Sequence, residues 1–240
     1  MDISKITKAL RRLKGPDHCG AVIVAAGTAS RMGGIDKVMA ELQGEPMILH
    51  SVRTFAQCDA IREIVVVTRE DLILPVRNLC AQIPKVTAVV AGGDCRQDSV
   101  ALGLAALSGK IKLAAVHDGA RPLVTWQVID RAVRAAHTYG AAAPAVEVKD
   151  TIKEVTGGVV RSTPDRATLR AVQTPQVFDI DLLRGALKKA KEDGAAITDD
   201  CSAVERLGMS VKLVEGDEKN IKVTTPMDLA LAKMLLEDTK

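Results

Sequence analysis

The sequence predicts an α/β fold: a doubly wound, mostly parallel sheet with a β-arm projecting from it. Three observations carry this expectation. Short Val-rich apolar runs alternate with segments of helical period, the last helix has strong start signals, and one stretch breaks the alternation with a two-glycine turn. Strands alternating with helices build βαβ units, and near-continuous apolar runs mark strands covered on both faces.

Residues 1–18 form a basic N-terminal extension in which Ile3, Ile6, Leu10 and Leu13 share one helical face, ended by Gly15-Pro16. A docking helix and a cleaved organelle-targeting peptide both fit that pattern. Residues 19–240 read as a single domain. Buried strands are expected at 21–25, 64–67, 86–91 and 113–116. Between them Val100, Leu104 and Leu107 share a helical face, as do Ile129, Val133 and Ala136. In the final helix Thr225 is placed to cap, Pro226 occupies the first turn, and Asp228 stands at the capping-box position. Its expected apolar face is Met227, Leu231, Met234 and Leu235.

The excursion spans about 147–173. Residues 148–155 read as a partly polar strand, Gly157-Gly158 as a tight turn and 159–163 as the return, with no helix. A hairpin that buries little in its own domain needs covering, and a second copy of the chain is the expected cover. A homodimer through this arm follows.

Composition excludes several classes. One Trp, one Tyr and two Phe in 240 residues leave no stacking platform for single-stranded nucleic acid. The net charge of +3 comes from scattered Lys and Arg, not from the basic face that duplex binding requires. Cys19, Cys58, Cys80, Cys95 and Cys201 are an odd set without a C-x-x-C pair, fitting buried thiols in a reducing compartment. No run is long and apolar enough to cross a membrane, and no secretory signal opens the chain. A cytoplasmic location is the resulting expectation.

In a doubly wound sheet ligands bind beyond the carboxyl ends of the strands, and four clusters fall there. The first strand runs into residues 25–34 (AAGTASRMGG) with Lys37 following, a small-residue loop whose backbone N–H groups suit phosphate oxygens. Its spacing matches neither the dinucleotide fingerprint nor the Walker A loop. Residues 92–99 (GGDCRQDS), 117–122 (HDGARP) and 220–224 (NIKVT) follow other strands. Each alone is ordinary loop chemistry; their shared edge makes coincidence a poor account. Cys95 and His117 read as bystanders beside these motifs, and His50 and His137 sit in helical contexts without signal.

Taken together with D-T at 150–151, D-R at 165–166, T-P-Q at 174–176 and T-D-D at 198–200, these motifs closely resemble the 2-C-methyl-D-erythritol 4-phosphate cytidylyltransferase family over about residues 19–236. The resemblance implies a Rossmann-like nucleotidyltransferase sheet of mixed direction. It implies that Ala25, Ala26 and Gly27 offer backbone to the nucleotide, while Gly92, Asp94 and Ser99 read the cytosine. It places Arg31, Lys37 and Lys222 around the triphosphate as the catalytic cations, and Asp118 and Arg121 between nucleotide and acceptor. Thr151 and Arg166 on the arm would reach the partner subunit's acceptor site, where Thr198 also contributes, and Thr174 follows the arm as a further acceptor contact. Ala29, Asp36 and Gly119 depart from the family pattern without removing a charged group.

The reaction so implied joins CTP to the acceptor's phosphate. A phosphate monoester has its second pKa near about 6, so no Ser, Cys or His is needed to activate it. What the reaction needs is cations and geometry to bring two anions together. Mg²⁺ bound mainly through the CTP phosphates is the expected cofactor, with Asp118 the candidate carboxylate, directly or through water. Two alternatives stay open on sequence: a sister enzyme using ribitol 5-phosphate, and a catalytically silent nucleotide-binding scaffold.

Overall fold

The structure, a computed structural model, describes residues 18–27 and 38–237. The expected N-terminal helix, and Arg31 and Lys37 of the first loop, lie outside the described residues.

An eight-stranded sheet organises the domain. At its centre β1 (Cys19–Val24) lies parallel to β4 (Ile61–Thr68) and β6 (Leu113–Asp118), and β5 (Val86–Ala91) extends the sheet beyond β4. On the other side β11 (Gln176–Asp179) runs antiparallel between β6 and β7 (Ala141–Glu147). β12 (Lys212–Glu215) closes that end parallel to β7. The sheet is therefore mostly parallel with one reversed line.

That reversed line is interrupted. β10 (Arg170–Val172) also pairs with β7, and Ala145 is matched to Val172 of β10 and to Glu215 of β12, which must lie on opposite edges. By the same reasoning from Ala142, β11 shares the edge of β10. Val172 faces Ala145 and Val177 faces Ala142, so five steps of one chain oppose three of the other. The two extra residues fall within Gln173–Gln176: Gln173 N–H still donates to the Pro144 carbonyl of β7 at 2.8 Å, and Thr174 next to it meets the N–H of Asp118 at the end of β6.

Period-two burial explains the two helical layers. Ala21, Ile23, Ile64, Val66, Leu113 and Ala115 face one core, with side chains from α1 (Met47–Gln57), α2 (Ile73–Leu79) and α4 (Trp126–Tyr139). Val22, Val65, Val67, Ala114 and Val116 face the other, with α3 (Arg96–Ala106), α5 (Ile180–Glu192) and α6 (Asp200–Glu205). At about 1.5 kcal/mol or more for each fully buried Val or Ile, these central strands carry the stability of the domain.

The strands run further than the apolar runs indicated. β6 continues to Asp118, so His117 and Asp118 are strand residues, whereas β1 ends one residue before Ala25. β5 is only half-buried, against expectation; it is the edge strand. In the arm, β8 (Glu154–Thr156) and β9 (Val159–Ser162) are short and wholly exposed, joined by Gly157 and Gly158 at φ +58° and +79°. Two positive-φ positions in succession are what a tight hairpin turn demands. Residues 148–153 form no strand because β9 offers no partner beyond Ser162; β9 is the expected return, and a 3₁₀ turn at Arg166–Thr168 departs from the expectation of no helix in the excursion.

The last helix, α7 (Pro226–Glu237), has the expected reciprocal cap: the Asp228 N–H donates to Thr225 Oγ1 at 3.2 Å, and the Thr225 N–H to Asp228 Oδ2 at 2.8 Å. Its buried face is the expected one only at Leu235. Leu229, Ala232, Leu235 and Leu236 pack toward Leu42, Met47 and Leu123, leaving Met227, Leu231 and Met234 exposed. The helix is apolar on two sides, and periodicity alone cannot choose between them. Leu42 and Met47 come from the hairpin of β2 (Glu41–Leu42) and β3 (Glu45–Pro46) and from the start of α1.

Candidate active site

The carboxyl ends of the central strands are stitched into one rim. Ala25 N–H donates to the Val67 carbonyl at 2.7 Å, Gly92 N–H to Thr68 at 2.8 Å, and Gly119 N–H to Val24 at 2.9 Å. Above the rim lies a cleft of about 410 Å³, bordered by Ala25, Ala26, Gly27, Asp94, Ser99, Asp118 and Lys222. Gly93 lines it, whereas Gly92 stands behind the wall. A Cβ at Gly92 would come within 2.4 Å of Ala26 Cβ and 2.7 Å of Ser99 Oγ, so the two loops approach closely only because glycine stands there. Ser99 is buried; its hydroxyl accepts from Gly93 N–H at 3.2 Å and donates to the Cys95 carbonyl at 3.0 Å. It lines the cleft and at the same time holds the loop in shape. Cys95, expected to be buried, is exposed and caps α3 through its sulfur, while the other four cysteines are buried.

Asp118 is the electrostatic centre. Its carboxylate pairs with Lys222 Nζ at 2.7 Å, Arg96 Nε at 3.4 Å and Arg121 Nε at 3.9 Å. Burial pushes its pKa up, but Arg96, Lys222 and Arg121 outweigh that and hold it at about 2. Arg96 also donates from Nη2 to Asp200 at 2.8 Å. Burial works against the charge on that guanidinium, yet Asp200 and Asp118 raise its pKa above the ordinary value. Asp200 is fully buried, and burial raises its carboxyl pKa against the opposing pull of Arg96.

A second chain of bonds holds Asp118 from behind. Its N–H donates to Thr174 Oγ1 at 3.1 Å, and Thr174 Oγ1 lies 3.0 Å from His117 Nδ1, with His117 Nε2 3.2 Å from the Arg121 carbonyl. One proton arrangement satisfies all three: Thr174 donates to Nδ1 and a neutral ring donates from Nε2. Burial lowers the His117 pKa to about 4, in keeping with that tautomer. Thr174 is 4% exposed, so its hydroxyl is spent inside the protein and is not presented to an acceptor. His117, read from sequence as a bystander, is part of the support.

Buried amides close the frame. Arg121 Nη1 donates to the Asn220 carbonyl at 2.7 Å; Asn220 Nδ2 donates to the Thr174 carbonyl at 2.9 Å and to Gln173 Oε1 at 3.3 Å. Gln176 Oε1 accepts the N–H groups of Asp200 and Cys201, both at 3.0 Å, while its Nε2 donates to Asp199. Gln173, Gln176 and Asn220 were not assigned roles from sequence. Their only signal was a place inside or beside a motif, because a buried amide looks like a surface one until its partners are known.

The structure thus brings Ala25–Gly27, Asp94, Ser99, Asp118 and Lys222 to one cleft, with Arg121 beside it. Thr198 is exposed on the loop before α6 and lines a small neighbouring depression with Arg96 and Asp199. Thr151 and Arg166 are exposed on the arm, where Arg166 Nη1 donates to the Lys149 carbonyl at 2.6 Å. Neither borders the cleft of its own chain. The cleft combines backbone donors at a strand end with a movable lysine and an ionised carboxylate, an arrangement suited to a polyphosphate nucleotide.

Comparison with known proteins bears on which one. The family model for 2-C-methyl-D-erythritol 4-phosphate cytidylyltransferase matches residues 19–238. An enzyme of that name from Symbiobacterium thermophilum is 46% identical over 219 residues, 90% of this chain and 92% of its own. The crystal structure of a 4-diphosphocytidyl-2C-methyl-D-erythritol synthase from Anaerococcus prevotii agrees at a TM-score of 0.84 and 29% identity, over 92% of this chain and 96% of that one. A 2-C-methyl-D-erythritol 4-phosphate cytidylyltransferase from Thermus thermophilus gives 0.75 at 34% identity, over 92% and 99%. A sheet with one reversed line, a projecting arm and a cleft built on Asp118 and Lys222 therefore belong to a chain that is a member of the 2-C-methyl-D-erythritol 4-phosphate cytidylyltransferase family.

Proposed function

We propose that this chain transfers CMP from CTP to 2-C-methyl-D-erythritol 4-phosphate, releasing pyrophosphate and 4-diphosphocytidyl-2-C-methyl-D-erythritol. The observation that carries the reading is the match of nearly the whole chain to this family, joined to a cleft whose cations converge on one strand end. An oxygen of the acceptor's phosphate attacks the α-phosphorus; the bond from that phosphorus to the bridging oxygen breaks, and pyrophosphate leaves with the electron pair.

No proton need be moved by the protein at neutral pH. Asp118, with its pKa at about 2, is ionised there and is no acid. It holds Lys222 until the substrates arrive, with Arg96 and Arg121 beside it. Lys222, whose side chain is 42% exposed, is free to turn from Asp118 toward the phosphates. Arg31 and Lys37 on the first loop supply the remaining positive charge. Stabilising charge on the transferring group is the main lever of such a site.

The donor set fits a Mg²⁺ held chiefly by CTP. Among the described residues no group of three His, Cys, Asp or Glu side chains forms a metal cage, and Mg²⁺ needs only one or two carboxylates besides phosphate oxygens. Asp118 and Asp94 both line the cleft, and Asp118 is the one whose lysine partner the phosphates would attract. When bound, the ion would neutralise charge on the phosphates.

The active form is a homodimer through the arm. Val155, Val159 and Val160 are 55%, 62% and 53% exposed on a two-stranded hairpin, which is marginal alone in water. Thr151 and Arg166 would then serve the partner's cleft beside the partner's Thr198. The buried free thiols suit a reducing compartment, and we assign the enzyme to the cytoplasm. Pyrophosphate release measured with four nucleotides and two acceptors tests the reading. Turnover only with CTP and methylerythritol phosphate is expected; turnover confined to ribitol 5-phosphate, or none with either acceptor, overturns it.

A further inference from the structure

We infer that Asp200 is a positioning residue for this cytidylyl transfer, acting through Arg96 to fix the Asp118 carboxylate and to tie the Thr198 loop to the nucleotide loop. The inference rests on the function proposed above. It begins from an unequal clamp. Of the three cations on Asp118, Lys222 is nearly half exposed and able to leave, and Arg121 Nε stands off at 3.9 Å. Arg96 is locked from behind. Its Nη2 is committed to Asp200 at 2.8 Å while its Nε reaches Asp118 at 3.4 Å. A guanidinium is planar and rigid, so anchoring one nitrogen sets the direction of the other.

Asp200 is itself held still. It opens α6, its own N–H and that of Cys201 are both taken by Gln176 Oε1, and its carboxylate is wholly buried. A buried carboxylate is costly to maintain, and an apolar residue of similar size would often serve stability better. This one has its ion pair with Arg96, and its other oxygen has no hydrogen-bond partner. The consequence appears when a triphosphate draws Lys222 away. Arg96 stays, because leaving would strand Asp200 in the interior without a counter-charge. Asp118 therefore keeps its orientation through the very event that removes its nearest partner. Arg96 opens α3 beside the nucleotide loop, and Asp200 lies two residues after Thr198, so one ion pair spans the two substrate halves.

The test is a double-mutant cycle on kcat/KM for CTP, using Asp200→Asn, Arg96→Met and both together. Each is assayed for pyrophosphate release well below its own melting temperature. Asp200→Asn should lower kcat/KM by about tenfold or more, the usual cost of removing a residue that orients a working group. The double variant should be no more than about threefold worse than the poorer single, since coupled residues do not add. Losses that multiply, or an Asp200→Asn enzyme at wild-type kcat/KM, overturn the inference; a role in folding alone predicts the latter. If Arg96→Met does not fold, Asp200→Asn and the double variant decide: agreement within about threefold supports the inference and a larger gap overturns it. A wild-type enzyme silent toward CTP and methylerythritol phosphate would instead sink the proposed function, and this inference with it.

Discussion

Acidification should weaken the fold through His117, by an amount that can be worked out. The ring is completely buried, and burial lowers its pKa from 6.5 to about 4. Between those values the unfolded chain carries a proton at this position that the native chain does not. Stability therefore falls as pH falls, at about 1.4 kcal/mol per pH unit. The contribution is fully present above pH 6.5 and has been lost by pH 4, so some two and a half units remove about 3 kcal/mol. Asp118 acts later, since its folded pKa of about 2 lies below the ordinary 3.8. The assay is urea unfolding at fixed protein concentration from pH 7.5 to 4, on wild type and His117→Asn. The variant starts less stable but lacks the titrating ring, so the gap between the two should close by about 3 kcal/mol toward acid. Parallel curves would refute a buried neutral His117.

Three further outcomes are expected. Lys222→Ala and Lys37→Ala should each lower kcat/KM by at least about a hundredfold, the scale of losing one oriented charge on the transferring group; near-normal turnover in both would overturn the cation assignment. Gly92→Ala places a methyl 2.4 Å from Ala26 Cβ, so thermal and urea melts should show a loss of about 1–3 kcal/mol, with CTP turnover falling about tenfold or more as the loop shifts. Charging the arm with Val155→Lys and Val160→Lys should give monomers by sedimentation velocity and abolish activity. An active monomer would remove the arm from the site.

The sheet was legible because its strands are covered on both faces. Val22 and Ile23 point to opposite cores and are equally apolar, so a buried strand shows as an unbroken run. The nucleotide rim was legible for a different reason: glycines and charged residues gather directly after the apolar runs, as at Gly92-Gly93-Asp94 and His117-Asp118-Gly119. What stayed hidden is the polar frame. Asn220 and Gln176 are buried by contacts far along the chain, Thr174 about 46 residues before Asn220 and Asp200 two dozen after Gln176, and nothing local marks them. His117 was misjudged because a histidine beside an aspartate looks solvated until the strand is seen to run through both. The packed side of α7 was equally indeterminate, with Met227 and Ala232 both apolar and only tertiary contact choosing between them.

The pairing of β7 with β10 gives the arm a separate fate. Arg170, Ala171 and Val172 are bonded back to Glu147, Val146 and Ala145, so the chain leaves the sheet and re-enters it at neighbouring points. Everything between is a graft with both roots pinned. Its length and sequence can change without shifting the strands on either side, as insertions at such closed excursions are tolerated. On the proposed dimer, arms exchanged between relatives would carry partner choice with them, while the cleft at the strand ends stayed as it was.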